Sequence, residues 1–341
     1  MKILYAIQGT GNGHLSRALE IIPILQKKGA VDLLVSGIQG DLKLPYDVKY
    51  QLKGLSFIFG KKGGVDIWNT YRKNRLKRLY KEIKSVPVQE YDLVINDFEP
   101  VTAWACTMAH KNCFGLSHQS AVLHPLAPKP LKEDWLGLKI LKQYAPCSFS
   151  FGFHFRAFDD RIFTPVIRSE IRQIQPEKLA HYTVYLPSYS DKKLLKLFSS
   201  FPAFRFEIFS KHFKKASTID NIIIRPVNNQ DFVKSLSTCS GVICGAGFET
   251  PAEALFLKKK LLVVPMKGQF EQQCNAAMLK TMGVTVLKNL KKKSCHAIEP
   301  WLLKDEIIEV DFPDETEKII DRLIVTAQKD LKSPLPPKQI V

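Results

Sequence analysis

The sequence predicts an α/β protein of two similarly sized halves, each a parallel sheet flanked by helices, that face each other across a cleft. Short apolar runs alternate with helical patterns along most of the chain, which is typical of parallel α/β units. The 341 residues exceed one ordinary domain and suit two. With 45% hydrophobic and 24% charged residues, the chain has the composition of a globular protein with a sizeable core.

The first half is predicted to contain five strands. They cover residues 3–8, 31–35, 48–52, 93–95 and 113–116. After the first strand, apolar residues recur at helical spacing up to Gly29, and Pro23 inside this helix is expected to kink or shorten it. Residues 121–146 include four prolines and are predicted to form a loop-rich insertion with one short helix near Leu138.

The second half repeats the alternation of strands and helices after a boundary at residue 164. Its predicted strands cover residues 183–186, 204–209, 222–224, 241–244 and 261–264, and its clearest helices cover 251–257 and 269–282. We therefore expect domains over residues 1–164 and 165–325. A tail over residues 326–341 follows, and its prolines after Lys332 predict disorder.

The formal net charge of +17 indicates an anionic partner or surface, because net charge governs partners rather than fold. The densest part is the segment over residues 68–84, where seven lysines and arginines accompany a single acid, Glu82. Aromatic and leucine residues alternate with these cations, as in a helix that lies on anionic lipid. A solvated helix face explains the segment equally well. No nucleic-acid-binding motif accompanies the charge, so nucleic acid is not expected as a partner.

The cysteines and the apolar runs bear on the compartment. The seven cysteines are scattered and form no C-x-x-C pair, which favours reduced thiols over zinc sites or disulfides. No run approaches the ~20 apolar residues of a membrane span, and the chain opens on a strand rather than a secretory signal. We expect a cytoplasmic protein, peripheral on the inner face of the membrane if the segment over residues 68–84 binds lipid.

A glycine-rich turn follows the first strand and is the most informative motif. Residues 9–14 read Gly-Thr-Gly-Asn-Gly-His, between a buried strand and a helix, so that backbone N–H groups and a helix N-terminus converge as in an anion site. An imidazole at His14 favours proton transfer over nucleotide hydrolysis or hydride chemistry. A dehydrogenase is disfavoured, because the turn is not Gly-x-Gly-x-x-Gly and no acid ends the second strand.

Polar residues follow three strands of the first half. They are His14 after the first strand, Asp97 and Glu99 after the fourth, and His118 and Gln119 after the fifth. Ligands of open parallel sheets bind beyond the carboxyl ends of the strands, so these residues are candidates for one site. A His–Asp pair would fix the imidazole tautomer and raise its basicity, as a general base acting on a hydroxyl requires. A turn or capping role explains Asp97 alone equally well.

The second half carries its own glycine turn and a polar helix start. Residues 244–253 read Cys-Gly-Ala-Gly-Phe-Glu-Thr-Pro-Ala-Glu, which predicts a helix from Pro251 with a Thr-x-x-Glu capping box that ends at Glu253. Polar residues also begin the helix over residues 269–282: Gln269, Glu271, Gln272 and Asn275. Carboxylates and amides there could bind sugar hydroxyls, and solvation of a helix start explains Glu271 about as well.

Three motifs, in this order, resemble those of the two-domain GT-B glycosyltransferases. They are Gly-x-Gly-His ending at His14, Gly-x-x-Thr-x-x-Glu ending at Glu253, and Glu-Gln-x-x-Asn-Ala over residues 271–276. The chain is most similar to the branch that includes the lipid-linked N-acetylglucosamine transferase of peptidoglycan synthesis and the UDP-glucuronosyltransferase-like bacterial enzymes. The layout agrees over roughly residues 1–325. It implies two Rossmann-like domains, with the acceptor bound by the first and the donor mainly by the second.

The resemblance also implies roles for individual residues. His14 would be the general base on the acceptor hydroxyl, with Asp97 as its orienting partner. The residues implied to bind the donor are Ser188, Val227, Gly245, Gly247, Thr250, Glu253, Glu271 and Gln272. On the acceptor side we place Gly11, Gly13, Glu99, His118 and Gln119. The chain departs from the family at residues 186–190, Leu-Pro-Ser-Tyr-Ser in place of a Gly-Gly-Ser-type phosphate loop, which leaves Ser188 as the only expected contact there.

We therefore expect a transferase that moves a sugar from a nucleotide diphosphate, with UDP as the first candidate, onto an acceptor hydroxyl. The resemblance implies that neither a metal nor a cofactor is required. A non-hydrolysing UDP-sugar epimerase of the same architecture is the second enzyme hypothesis. A non-catalytic protein that binds membrane surfaces through residues 68–84 is the third. If both lipid and UDP bind, the first and third hypotheses combine into a membrane-peripheral transferase of a lipid-linked or cell-envelope acceptor.

Overall fold

The computed structural model describes residues 1–37, 44–55, 76–130, 134–291 and 294–332. Two seven-stranded sheets account for the two halves of the chain. Two of the sequence predictions fall partly outside the described residues. These are the N-terminal part of the basic segment, residues 68–75, and the end of the tail, residues 333–341.

The first sheet has the strand order β3-β2-β1-β4-β5-β6-β7, and all its pairs are parallel. Its strands are β1 (Lys2–Gln8), β2 (Ala30–Ser36), β3 (Tyr50–Leu52), β4 (Leu93–Asp97), β5 (Phe114–Ser117), β6 (Phe149–Phe153) and β7 (Ile162–Phe163). The order reverses between β1 and β4, and such a reversal opens a crevice at the carboxyl ends of the strands. The sequence did not predict β6 and β7, which extend the sheet beyond the proline-rich insertion.

Five helices belong to the first half in the described residues. They are α1 (Asn12–Lys28), α2 (Leu76–Ser85), α3 (Pro100–Met108), α4 (His118–Leu123) and α5 (Trp135–Tyr144). Helix α5 confirms the short helix predicted near Leu138. The prediction that Pro23 would shorten α1 is wrong, because the helix runs on to Lys28. Pro23 is exposed, so the carbonyl that loses its N–H partner lies on the face that water can reach.

The second sheet has the order β10-β11-β9-β8-β12-β13-β14, with β10 as its antiparallel edge strand. Its strands are β8 (His181–Tyr185), β9 (Arg205–Ser210), β10 (Ser217–Ile219), β11 (Ile222–Pro226), β12 (Gly241–Cys244), β13 (Lys260–Val263) and β14 (Thr285–Val286). The accompanying helices are α6 (Ser169–Arg172), α7 (Asp191–Phe198), α8 (Asn229–Thr238), α9 (Glu249–Phe256), α10 (Phe270–Thr281) and α11 (Cys295–Leu303). A second reversal separates β8 from β12, so this sheet also offers a crevice at its carboxyl edge.

The last helix, α12 (Thr316–Lys332), returns to the first half of the chain. Ile320 and Leu323 share a buried cluster with Leu25 of α1, and Lys28 Nζ lies 2.6 Å from Asp321 Oδ1. The predicted start of a tail at residue 326 is therefore wrong, because residues 326–332 continue an amphipathic helix that packs against α1.

Strand β1 shows how the core fixes the first half. Residues 3–7 are fully buried, and alternate side chains join different clusters on the two faces of the sheet. Ile3, Tyr5 and Ile7 pack on one side, while Leu4 and Ala6 pack on the other. Burial on both faces is the usual state of a parallel sheet covered by helices, and it holds the carboxyl end of β1 rigidly in place.

Candidate active site

The glycine-rich turn places His14 at the reversal between β1 and β4. Gly11 precedes α1 with φ of 92°, a left-handed conformation that glycine adopts without strain. His14 then lies in the first turn of α1, close to the carboxyl end of β4, which ends at Asp97. The turn thus delivers the imidazole to the crevice of the first sheet.

His14 and Asp97 form a hydrogen-bonded pair. His14 Nδ1 lies 2.8 Å from Asp97 Oδ1, and because a carboxylate only accepts, Nδ1–H is the donor. The imidazole side chain keeps 13% of its surface exposed, whereas the carboxylate is fully buried. Burial alone would raise the pKa of Asp97, but the charges of Arg17 and His14 and their hydrogen bonds bring it below its ordinary value. An ionised Asp97 therefore leaves the lone pair of His14 Nε2 available to a substrate.

Arg17 also holds the carboxylate of Asp97, beside His14, and the sequence analysis did not identify it. Its Nε donates to Asp97 Oδ2 at 3.0 Å and its Nη2 donates to Asp97 Oδ1 at 2.8 Å. Arg17 Nη2 also lies 3.1 Å from His14 Nδ1, a close approach of two atoms that both carry hydrogens rather than a bond. Arg17 is three residues after His14 on α1, so helical spacing was a signal that could have found it.

The carboxyl edges of the two sheets meet, and side chains of the first half bond to side chains of the second. Three of the polar contacts between them lie at this cleft: Arg17 with Glu249, Gln119 with Glu271, and His118 with Asn275. Arg17 Nη1 donates to Glu249 Oε1 at 2.9 Å, next to Gly13. A Cβ atom at Gly13 would overlap the Glu249 carboxylate, so a glycine there allows the halves to approach.

Gln119 and His118 follow β5 and occupy different positions in this contact. Gln119 Nε2 donates to Glu271 Oε2 at 3.0 Å and lies 3.5 Å from His14 Nε2, so it flanks the proposed base. His118 is buried, with Nδ1 2.8 Å from the Phe153 carbonyl and its ring stacked on Phe248 at 3.9 Å. Burial lowers the pKa of His118. The predicted acceptor-side position of His118 is therefore corrected to one inside the contact between the halves.

Comparison with known protein families supplies the identification. The family model described as "Glycosyl transferase family 1" matches residues 1–305. The chain belongs to this family. A comparison with curated protein sequences gave no match.

Solved structures of glycosyltransferases share the fold at low sequence identity. MurG of Acinetobacter baumannii aligns over 95% of this chain and 99% of its own, with a TM-score of 0.57 and 14% identity. A UDP-glucosyltransferase from Polygonum tinctorium aligns over 98% of this chain and 95% of its own, with a TM-score of 0.58 and 14% identity. Phytolacca americana UGT2 aligns over 98% of this chain and 96% of its own, with a TM-score of 0.55 and 13% identity. The predicted GT-B fold, two Rossmann-like domains that face across a cleft, is confirmed.

In this glycosyltransferase the predicted donor-binding residues gather at the carboxyl edge of the second sheet. Ser188 follows β8, Val227 follows β11, Gly245, Gly247 and Thr250 follow β12, and Glu271 and Gln272 follow β13. Ser188 is exposed, and a Cβ atom at Gly247 would meet only open space. Gln272 Oε1 accepts from the Met266 backbone at 2.9 Å, and Val227 donates its backbone N–H to Ser210 at 3.2 Å. The edge is thus open at Ser188 and Gly247, whereas Gln272 and Val227 already make hydrogen bonds within the second half.

Glu253 of the glycosyltransferase is held by an arginine rather than by a capping box. Helix α9 begins at Glu249, before the predicted Pro251, and no side chain caps it, so the predicted box is wrong. Arg168, which sequence reasoning missed, donates to both Glu253 oxygens at 2.5 and 2.9 Å. Burial raises the pKa of Glu253, and the hydrogen bonds and charge of Arg168 offset part of that rise. The predicted capping box does not form because the buried Glu253 carboxylate pairs with the Arg168 cation instead of with a backbone N–H.

Glu99 caps α3 and does not reach the cleft. Its carboxylate accepts from the backbone of Val101 at 2.7 Å and of Thr102 at 2.6 Å, and from Ser36 Oγ at 2.5 Å. The side chain is fully buried. The predicted acceptor-side position of Glu99 is therefore corrected to that of a helix cap, which the following Pro100 at the first helical position also indicates.

No group of three or more His, Cys, Asp and Glu side chains in the described part of the chain could hold a metal ion. Among the helices within the described ranges, none is long and apolar enough to pass through a bilayer.

Proposed function

We propose that this glycosyltransferase moves a sugar from a nucleotide diphosphate, with UDP as the first candidate, to an acceptor hydroxyl, with His14 as the general base. One observation carries the proposal. The Nδ1–H of His14 is bound to a buried, ionised Asp97, while part of the ring stays exposed at the cleft. This is the arrangement that a base acting on a hydroxyl needs.

The reaction is a substitution at the anomeric carbon of the donor sugar. As the acceptor oxygen forms its bond to that carbon, the hydroxyl proton passes to His14 Nε2. The bond between the anomeric carbon and the diphosphate oxygen breaks, and the leaving diphosphate carries away the electron pair. Asp97 stabilises the imidazolium that forms, and Arg17 keeps Asp97 ionised. The open turn at Gly247 and the N-terminus of α9 offer backbone N–H groups to the diphosphate.

The proposed donor is supported by the ligands bound in solved structural neighbours and by the second sheet. Phytolacca americana UGT2 was solved with UDP-2-fluoro-glucose, and VinC was solved with dTDP. In this chain the Glu253 carboxylate would accept hydrogen bonds from the ribose hydroxyls of the nucleotide. A carboxylate has roughly four acceptor positions, and Arg168 uses two of them, so two remain for a ribose.

Isothermal titration calorimetry with UDP, GDP and TDP tests the donor proposal. We expect UDP to bind, and Glu253→Gln to weaken its binding by about 10–100-fold, because a hydrogen bond to a charged group is worth about 1.5–3 kcal/mol. Glu299→Gln, an exposed change on α11, is the matched control and should bind as the unchanged protein does. Absence of binding by all three nucleotides overturns the proposed function. Undisturbed binding by Glu253→Gln removes Glu253 from the site.

We further propose that the face formed by α2 and α3 binds an anionic membrane surface and brings the enzyme to a lipid-linked acceptor on the cytoplasmic side. Helix α2 carries the exposed cations Lys77, Lys81 and Lys84. Four large apolar side chains are exposed on the same two helices: Leu76 at 53%, Tyr80 at 49%, Trp104 at 37% and Met108 at 46%. Cations beside exposed apolar side chains are the composition of an interfacial membrane contact.

Vesicle sedimentation tests the membrane face. We expect the protein to sediment with phosphatidylglycerol vesicles and not with phosphatidylcholine vesicles. Lys77→Glu with Lys81→Glu should weaken binding by more than about tenfold, since each cation near an anionic surface is worth about 1 kcal/mol. The control is Lys192→Glu with Lys196→Glu on α7, which has the same charge change on an exposed helix of the other half. Equal losses in both double variants, or equal binding to both vesicles, would contradict a specific face.

A further inference from the structure

A small cavity lies beside the proposed base, and its lining indicates the kind of acceptor that fits. It measures about 190 Å³ and lies at the carboxyl edge of β4 and β5, under α5. Six of its lining residues carry the inference: Phe98, Ser117, Gln119, Ser120, Leu141 and Lys142. Sites for drug-sized ligands measure roughly 300–1,000 Å³, so this cavity suits one ring-sized group of a larger molecule.

Gln119 supplies the first sign of a missing ligand. The residue is only 5% exposed, and its Nε2 is bound to Glu271 of the second half. Its Oε1 is buried and has no hydrogen-bond partner among the described residues. Buried amide oxygens are almost always paired, because an unpaired one loses the hydrogen bonds that it would make with water. A ligand hydroxyl in the cavity would donate to Gln119 Oε1 and would lie close to His14, whose Nε2 is 3.5 Å from Gln119 Nε2.

Phe98 supplies the second sign. It follows Asp97 with φ of 56°, a left-handed conformation that aromatic residues rarely adopt and that is often found at ligand-binding positions. Its ring lines the cavity and lies nearly parallel to the His14 ring, with centroids 6.3 Å apart. The Tyr144 ring packs against it at 4.7 Å. The strained backbone therefore holds an aromatic ring next to the base.

The lining combines apolar side chains and one aromatic ring with hydroxyl and amide groups, which suits a ring that has both C–H faces and hydroxyls. Leu123, Leu141 and Pro146 form the apolar part, and Ser117, Ser120 and Gln119 lie beside Phe98. The C–H face of a pyranose can pack on the negative face of an aromatic ring while its hydroxyls donate to oxygen acceptors.

We infer that this cavity binds one pyranose ring of the acceptor, so that the hydroxyl presented to His14 belongs to a sugar. This inference rests on the proposed function, because it names the acceptor class of the same reaction. Phe98 provides the stacking surface, and Gln119 Oε1 accepts from a ring hydroxyl. Glu271 holds Gln119 in place from the opposite half.

Saturation-transfer NMR with three methyl glycosides and phenol, in the presence of UDP, tests the inference. The glycosides are methyl glucoside, methyl galactoside and methyl N-acetylglucosaminide. We expect saturation transfer to at least one glycoside and little to phenol. Phe98→Leu and Gln119→Leu should each weaken glycoside binding by about tenfold or more, as loss of one such contact allows. Trp135→Leu, an exposed aromatic change on α5, should leave binding unchanged.

The outcomes separate this inference from the proposed function. UDP calorimetry on the same samples reports whether each variant is folded and binds nucleotide. If UDP binds but no glycoside shows saturation transfer, or only phenol does, the sugar-acceptor inference is overturned and the donor proposal stands. If the two variants bind glycosides as Trp135→Leu does, the cavity is not the subsite. If UDP itself fails to bind, the proposed function falls first.

Discussion

Replacing His14 with alanine is expected to lower kcat for sugar transfer by about 10²–10⁴-fold, the usual contribution of a positioned general base. Without the imidazole, no base at the cleft can take the proton of the acceptor hydroxyl. Asp97 cannot replace it, because its carboxylate is buried behind His14 and is hydrogen-bonded to Arg17. UDP affinity should not change, because the proposed nucleotide contacts lie on the second sheet. The measurement is the rate of UDP release with the donor and glycoside selected by the binding experiments, beside UDP calorimetry on the same protein.

A second histidine variant controls for the loss of an imidazole in general. His296→Ala removes an exposed ring on α11, far along the chain from the dyad, and should leave kcat unchanged. An unchanged rate in His14→Ala would remove His14 as the base and would favour a reaction that needs no acceptor activation. Loss of UDP binding in His14→Ala would indicate that the first turn of α1 contacts the nucleotide instead.

The pairing of His14 with Asp97 could be predicted from the sequence because parallel strands end at one edge. Each residue follows a recognisable buried strand, and the two strands are neighbours in the sheet. The predicted donor-binding residues came instead from the family resemblance, and most of them follow strands of the second sheet. Short apolar runs followed by glycine turns are strong local signals, so the strands that define both crevices were predicted within a few residues.

The partners of buried charges could not be predicted in the same way. Arg168 lies directly before α6, and nothing in its local pattern connects it with Glu253, which is 85 residues later. Glu99 and His118 were placed in the cleft because they follow strand ends, yet one caps a helix and the other is buried against Phe248. A carboxylate or imidazole next to a strand end serves as a cap, an ion-pair partner or a ligand contact, and only the tertiary structure separates these roles.

The remaining errors concern segments whose secondary structure depends on packing against residues far away in the sequence. Helix α12 is amphipathic, but its apolar face is buried by α1 from the opposite end of the sequence. Strand β7 is two residues long, and it exists as an edge of a sheet whose other members precede it. Local periodicity carries no information about either partner.

Replacing Asp97 with asparagine is the second change with a large expected effect. In a His–carboxylate pair, this replacement leaves the geometry nearly intact but lowers turnover by about 10⁴-fold in a serine protease, because the amide favours the wrong imidazole tautomer. An amide N–H that faces His14 Nδ1 would place the ring proton on Nε2. Nε2 could then no longer accept the proton of the acceptor hydroxyl. We therefore expect kcat to fall by about 10³–10⁴-fold with little change in UDP affinity.

Loss of the Asp97 charge also affects Arg17, and this effect on stability must be separated from the effect on the His14 tautomer. Arg17 is buried and, among the residues that the structure describes, would keep only Glu249 as an ionised partner, so Asp97→Asn should lower the free energy of unfolding. Nitrogen-15 NMR of the His14 ring distinguishes the two effects, since the unchanged protein should show Nδ1–H and the variant should show Nε2–H at a temperature where both are folded. Asp311→Asn, an exposed change, is the control for charge. A variant that is folded, keeps the Nδ1–H tautomer and is still inactive would show that Asp97 acts through the position of Arg17 rather than through the proton of His14.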